Sequence, residues 1–188
     1  AGKQLIHVID NGSGMSKRDL EMSVIRHATS KISTEEDLHA IRTLGFRGEA
    51  MASIAAISDV EIRTRRGDDE TGWTLLSRPG QAPEIRASAT DIGTQVLVRT
   101  LFYNVPARRK FLKADLTEFR HVSETMQRMA LSRPDVRFVF YDNQSLVFDV
   151  RPGDLKRRIA DILSLDASRA LVPVEMSEGG FAISGFVG

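Results

Sequence analysis

The sequence has no cysteine among its 188 residues. That absence removes disulfide cross-links, thiolate nucleophiles and Cys-ligated zinc together. Histidine is sparse, with four residues and no His-Glu-x-x-His arrangement, so a metal site of that kind is not expected. Net charge is close to nil, 26 Lys and Arg against 25 Asp and Glu, and no overall field draws the chain to nucleic acid or membrane. No apolar run approaches the ~20 residues a membrane helix needs, and no signal peptide is visible. The expected compartment is therefore cytoplasmic or nuclear, with no membrane partner. Internal repeats and low-complexity tracts are also missing. What is present, 41% hydrophobic and 27% charged residues, suits a globular chain that buries a core. The length fits one domain, or one domain and part of a second.

The chain is organised around Leu5-Ile6-His7-Val8-Ile9-Asp10-Asn11-Gly12-Ser13-Gly14-Met15. The apolar run predicts a mostly buried strand, and Asp-Asn-Gly-Ser-Gly cannot continue it. An acid thus stands where a strand ends. Gly12 and Gly14 permit close approach of another body, and Asp10 offers a carboxylate acceptor that suits the exocyclic amine of a purine. Asn-Gly after a strand is also a common turn signal, and from this stretch alone the turn is the plainer reading.

Behind the glycines, residues 16–28 predict a helix, with Ser16 as cap and Leu20, Val24, Ile25 and Ala28 on one face. A short helix is expected over residues 33–43. Gly45-Phe46-Arg47-Gly48-Glu49-Ala50 then leads into an Ala-rich helix over residues 51–57. Such an entry exposes backbone N–H groups at the positive end of a helix dipole, where phosphate binds well. Gly45 as a helix C-cap and Gly48 as a packing residue is the plainer reading, with Glu49 as a dipole or capping partner.

From Asp59 the period becomes two. Strands are expected over residues 60–64, 73–76, 84–87 and 94–101, with turns at Gly67-Asp68-Asp69 and Arg78-Pro79-Gly80. They predict an antiparallel sheet with helices on one side. Residues 101–113, Leu-Phe-Tyr-Asn-Val-Pro-Ala-Arg-Arg-Lys-Phe-Leu-Lys, leave the sheet and start a basic helix. Arg108, Arg109, Lys110 and Lys113 are candidate DNA contacts, while Phe102, Phe111 and Leu112 are expected as core anchors. A helix over residues 116–133 turns Phe119, Val122, Met126, Met129 and Ala130 inward and stops at Pro134. A hairpin follows about Asp142-Asn143-Gln144. Arg151-Pro152-Gly153 is the candidate domain boundary, dividing residues 1–150 from residues 151–188, where a helix over residues 154–163 and two strands are expected. The chain starts at Ala1 without Met and almost at once in a strand, and it ends on one, so truncation at both ends is expected.

Three motifs now stand in order: residues 10–14, residues 45–50, and Gly93-Thr94 opening a strand. The order resembles the GHKL ATPase superfamily. Arg26-His27-Ala28-Thr29-Ser30-Lys31, Gly45-Phe46-Arg47-Gly48-Glu49-Ala50 and the long run over residues 101–111 resemble, within it, the MutL family of DNA mismatch-repair ATPases. The resemblance spans most of residues 5–150. It implies an α+β fold, the GHKL two-layer sandwich of helices on a mixed, mostly antiparallel sheet, followed by the truncated start of an α/β transducer domain.

By position, the resemblance makes Asp10 the adenine-binding carboxylate, with Gly12 and Gly14 shaping the pocket floor and Thr94 supporting the adenine contact. Thr29, Ser30 and Lys31 belong to an ATP lid, and Gly45, Phe46, Arg47, Gly48, Glu49 and Ala50 wrap the phosphates. The implied ligands are ATP and Mg2+. The family's general-base Glu and Mg-binding Asn are expected on a helix upstream of Ala1, ahead of the first motif seen here. No catalytic or metal-binding residue is therefore assigned in these 188 residues, and the chain alone is not expected to hydrolyse ATP. Implied partners are a second family member in a homo- or heterodimer, a mismatch-recognition protein, a downstream nuclease or helicase, and DNA; the implied place is the bacterial nucleoid or the nucleus. The rival readings are another GHKL ATPase of topoisomerase, chaperone or histidine-kinase type, and a non-enzymatic module binding DNA or partners beside a dead nucleotide site.

Overall fold

The computed structural model describes residues 2–26 and 48–188. Ala1 and the helix expected over residues 33–43 lie outside them. The described chain gathers into two compact units, Gly2–Lys113 and Ala114–Gly188.

In the first unit, alternating Val60, Ile62 and Thr64 make β2 (Asp59–Arg65), whose burial follows the same period. It lies at the centre of a five-stranded sheet with β1 (Leu5–Asp10), β3 (Gly72–Ser77), β4 (Glu84–Ser88) and β5 (Gly93–Arg99), in the order β1-β5-β2-β3-β4. Every pairing is antiparallel. One face buries Val60, Ile62, Leu75 and Val98 against Leu20 of α1 (Lys17–Ser23) and Ala55 of α2 (Ala50–Ala55). Leu20 is fully buried, which stabilises by about 2 kcal/mol. The helix that carries it starts where expected: Ser16 Oγ accepts the Asp19 N–H at 3.1 Å and donates to the Asp19 carboxylate at 2.6 Å. On the other face, Glu61 sits between Arg63 and Arg99.

Two expectations are corrected here. The run that opens the chain is a strand, but not a buried one: among the described residues β1 is the edge of the sheet, hydrogen-bonded on one side only, and all six of its residues are exposed. Phe111 is no core anchor, being 82% exposed just past α3 (Pro106–Arg109), whereas Phe102 and Leu112 are half-buried.

In the second unit, α4 (Asp115–Ser132) packs with the hairpin β6 (Phe138–Asp142) and β7 (Ser145–Val150), where Phe119 stacks on Phe140 at 6.1 Å between ring centres and Phe140 meets Phe148 at a tilt at 5.5 Å. Ala130 is buried as expected, while Met129 is exposed. Asp154 caps α5 (Leu155–Ile162) by accepting the Arg157 N–H at 2.8 Å. A further helix, α6 (Leu165–Ala170), not anticipated, starts at a Ser164 cap. The hairpin β8 (Val172–Glu178) and β9 (Phe181–Val187) turns on Gly179 and Gly180, both at positive φ. The division between the units falls after Lys113, ahead of Arg151-Pro152-Gly153. Arg158 of α5 donates to carbonyls on the near side of that stretch, at Ala130, Arg133, Pro134 and Val136.

Candidate functional site

The site is built at one end of the first unit's sheet, where three neighbouring strands bring three side chains abreast. Asp10, the last residue of β1, lies opposite Thr94 of β5, and Thr94 lies opposite Thr64 of β2. Directly opposed residues of antiparallel strands point to the same face, so all three share the face that carries the core.

The loop after Asp10 is drawn down onto this row. Asp10 Oδ1 accepts the Gly12 N–H at 2.9 Å, which orients the carboxylate. Its second oxygen makes no hydrogen bond among the described residues and remains an acceptor at an exposed strand end. Two residues on, the chain crosses the end of β2 so closely that a Cβ on Gly14, which has φ 69°, would stand 2.1 Å from the Arg65 carbonyl oxygen. Only glycine permits that crossing. Met15 then donates its N–H to Thr64 Oγ1 at 2.9 Å.

Gly93 is the second position where backbones meet. A Cβ there would stand 2.1 Å from the Asp10 carbonyl oxygen, and its φ of 114° is unfavourable to any other residue. The sequence marked Gly93 as the first residue of the Gly93-Thr94 motif that opens a strand, with no role of its own. Structure shows it setting the approach of β5 to the acid-bearing end of β1.

Of the residues singled out from the sequence, Asp10, Gly12, Gly14 and Thr94 are brought together. Gly48, at φ 65°, and Glu49 lead into α2, which begins at Ala50. Glu49 occupies the N-cap but makes no side-chain capping hydrogen bond, so the capping role expected of it is not seen. Thr29, Ser30, Lys31, Gly45, Phe46 and Arg47 lie outside the described residues. So does Ala1, and the general-base Glu and Mg-binding Asn expected upstream of it are given no place by this structure. Arg108 and Arg109 end α3, with Lys110 next, all exposed and without an ion pair among the described residues. Lys113 accepts a hydrogen bond from Lys3 Nζ on its main-chain oxygen at 2.7 Å. Sequence reasoning missed Thr64. It is fully buried, and the available signal was its place two residues beyond Ile62 on the buried face of β2.

Among the described residues, no group of three or more His, Asp or Glu stands close enough to hold a metal ion, and no helix is long and apolar enough to cross a membrane. Two surface clefts, one along α5 and α6 and one between residues 16–18 and 66–73, include none of Asp10, Gly12 or Thr94.

No family model matches the sequence. Curated proteins do. The DNA mismatch repair protein MutL of Porphyromonas gingivalis is 48% identical over 188 residues, all of this chain and 30% of that protein. MutL of Citrifermentans bemidjiense is 44% identical over 186 residues, 99% of this chain and 29% of that protein. The chain thus spans about 30% of the length of the curated relatives it matches. Among solved structures, the Aquifex aeolicus MutL ATPase domain complexed with ADP superposes with a TM-score of 0.76 at 28% identity, covering 99% of this chain and 65% of that one. The ATPase domain of the mismatch repair endonuclease MutL from the same organism gives 0.68 at 26% identity, over 99% and 62%. Sequence over the full length and the α+β architecture, a helix-covered antiparallel sheet, therefore agree: these 188 residues belong to the MutL family of DNA mismatch-repair proteins.

Proposed function

We propose that the Asp10 end of the sheet binds the adenine of ATP, and that the protein carrying this chain is an ATP-binding and ATP-hydrolysing switch of DNA mismatch repair. The observation that carries the reading is the row Asp10–Thr94–Thr64 at an exposed strand end, in a fold shared with a relative solved with ADP. Asp10 presents a carboxylate held by the Gly12 N–H, and a carboxylate accepts from an exocyclic amine but repels an exocyclic carbonyl oxygen. Gly12 and Gly14 keep the loop thin where the base lies. Thr94 supports the same contact from β5.

The rest of the reading rests on the resemblance. Residues 29–31 form a lid ordered by ATP, residues 45–50 wrap the phosphates, and ordering of the lid joins two such units into a dimer that signals to a mismatch-recognition protein and a nuclease or helicase on DNA. Residues 1–150 are read as the GHKL ATPase domain and residues 151–188 as the start of the transducer domain. Among the described residues no group of three or more His, Asp or Glu gathers to hold the magnesium ion. What this chain's own residues supply is recognition and orientation of the nucleotide; water activation is assigned to the general-base Glu that the family carries ahead of the first motif, upstream of Ala1.

Calorimetric titration with ATP and Mg2+ tests the reading in the longest natural chain that carries these residues. Asp10→Asn places an amide donor where the acceptor stood, and affinity is expected to fall at least tenfold. Equal affinity in the two proteins refutes the assignment. A second reading draws on the exposed Arg108, Arg109 and Lys110 beside the exposed Phe111: a DNA contact, recognised by salt-dependent binding that survives Asp10→Asn.

A further inference from the structure

Thr64 Oγ1 is the most fully used hydroxyl among the described residues of the first unit. It lies 2.9 Å from the Met15 N–H, 2.9 Å from the Gly93 carbonyl oxygen and 3.2 Å from Thr94 Oγ1, in a residue with no exposed surface. A hydroxyl has one proton and two lone pairs. The Met15 N–H can only donate, so it takes one lone pair of Thr64. The Gly93 carbonyl can only accept, so that contact requires the Thr64 proton. One lone pair is left for Thr94, and the contact between the two hydroxyls must then use the proton of Thr94.

The opposite arrangement, with the Thr64 proton turned to Thr94, sets two acceptor oxygens against each other at 2.9 Å in a buried site. Burying unpaired acceptors costs roughly 1–3 kcal/mol, so this arrangement loses. The polarity of Thr94 is thereby decided behind the site. With its proton committed to Thr64, Thr94 shows only lone pairs to whatever lies beside Asp10.

We propose that Thr64 is a positioning residue for nucleotide selection: it holds Thr94 as a hydrogen-bond acceptor, so that Asp10 and Thr94 together present acceptors alone and favour a 6-amino purine over a 6-oxo purine. The selectivity part rests on the adenine-site reading of Asp10; the hydroxyl orientation does not. Thr64 touches no ligand in this scheme. It acts through Thr94, and through Met15 and Gly93 it also ties the loop after Asp10 to the start of β5.

The test compares ATP with inosine triphosphate, which differs by an oxygen in place of the exocyclic amine. In the parent protein ATP is expected to bind more tightly than inosine triphosphate. Thr64→Val is close in shape and removes the hydroxyl, which frees the Thr94 proton to donate to the 6-oxygen. The affinity ratio between the two nucleotides is expected to narrow about tenfold, the equivalent of one ordinary hydrogen bond. Thr64→Ser keeps the hydroxyl and is expected to keep the parent ratio. A merely structural role would lower both affinities together; a ratio unchanged by Thr64→Val therefore overturns the proposal. Orientation is read independently by NMR of the unaltered chain. The buried Thr64 hydroxyl proton is expected to exchange slowly with cross-peaks to Gly93, and the Thr94 hydroxyl proton to show cross-peaks to Thr64. A Thr64 proton directed at Thr94 overturns the proposal even where Thr64→Val fails to fold. Absence of any ATP affinity in the parent protein instead defeats the adenine-site reading and the selectivity built on it, and leaves the orientation to the NMR result.

Discussion

Replacing Arg158 by methionine should damage the second unit more than any other single change to its charged residues. Pro134 has no N–H, so the carbonyl of Ala130, four residues earlier, has no donor within the helix. Arg158 reaches back from α5 and supplies one, Nη1 to Ala130 O at 2.5 Å, with a second contact to Arg133 O at 3.1 Å. Its Nη2 donates to the carbonyls of Pro134 at 3.0 Å, Val136 at 2.6 Å and Arg151 at 3.0 Å. The side chain is 1% exposed, and no carboxylate pairs with it among the described residues. Five carbonyls therefore take the role that an acid normally plays.

The magnitude follows from what remains after the change. Arg133 O keeps the Val136 N–H and Pro134 O keeps the Gly153 N–H, so the loss falls on Ala130, Val136 and Arg151. Each orphaned carbonyl costs roughly 1–3 kcal/mol, while relief from burying a cation returns several. A net loss of about 2–4 kcal/mol is expected, a large share of the 5–15 kcal/mol typical of a domain. Trp73, the one tryptophan of the chain, belongs to the other unit, so its fluorescence is the wrong probe. Amide hydrogen exchange in the last turn of α4 and along β6 and β7 is the right one. Protection there should fall by that amount in Arg158→Met, and Arg158→Lys should recover only part, since one ammonium cannot reach five carbonyls. Unchanged protection in the methionine variant, or full recovery by lysine, refutes the reasoning.

Gly93→Ala should separate β5 from β1 at the acid-bearing end, because the new Cβ would stand 2.1 Å from the Asp10 carbonyl oxygen at a φ of 114°; a loss of about 2 kcal/mol or more is expected, and an unchanged thermal unfolding midpoint would contradict it. Glu61 supplies a pH test. Burial opposes its ionisation, but the guanidiniums of Arg63 and Arg99 outweigh burial and hold its carboxyl below the usual value of 4.5. A carboxyl lowered in the folded state stabilises above the unfolded value, and that contribution is lost as pH falls through the folded value. The stability difference between the parent chain and Glu61→Gln, about 1 kcal/mol or less at pH 7, should therefore shrink below about pH 4.5 in urea titrations at both pH values. A difference that grows as the solution is acidified would be incompatible with this sign.

The sequence by itself determined the local elements. Period-two alternation located β2 to β5, Ser16 announced the start of α1 and Pro134 the stop after α4, whereas Asp10, Gly12, Gly14 and Thr94 were grouped only by the family resemblance. Each of these signals depends on residues a few positions apart, through hydrogen-bond caps, missing N–H groups or side-chain alternation. Tertiary structure alone decided the rest. A run of apolar residues reads the same in a central strand and at an edge; the order β1-β5-β2-β3-β4 places Leu5 to Asp10 at an edge of the described sheet, where all six are exposed. Phe111 looked like a core residue because apolar character carries no address. Thr64 and Thr94 are 30 positions apart, and Arg158 and Ala130 28; what joins each pair is register and packing at long range, which no local pattern encodes.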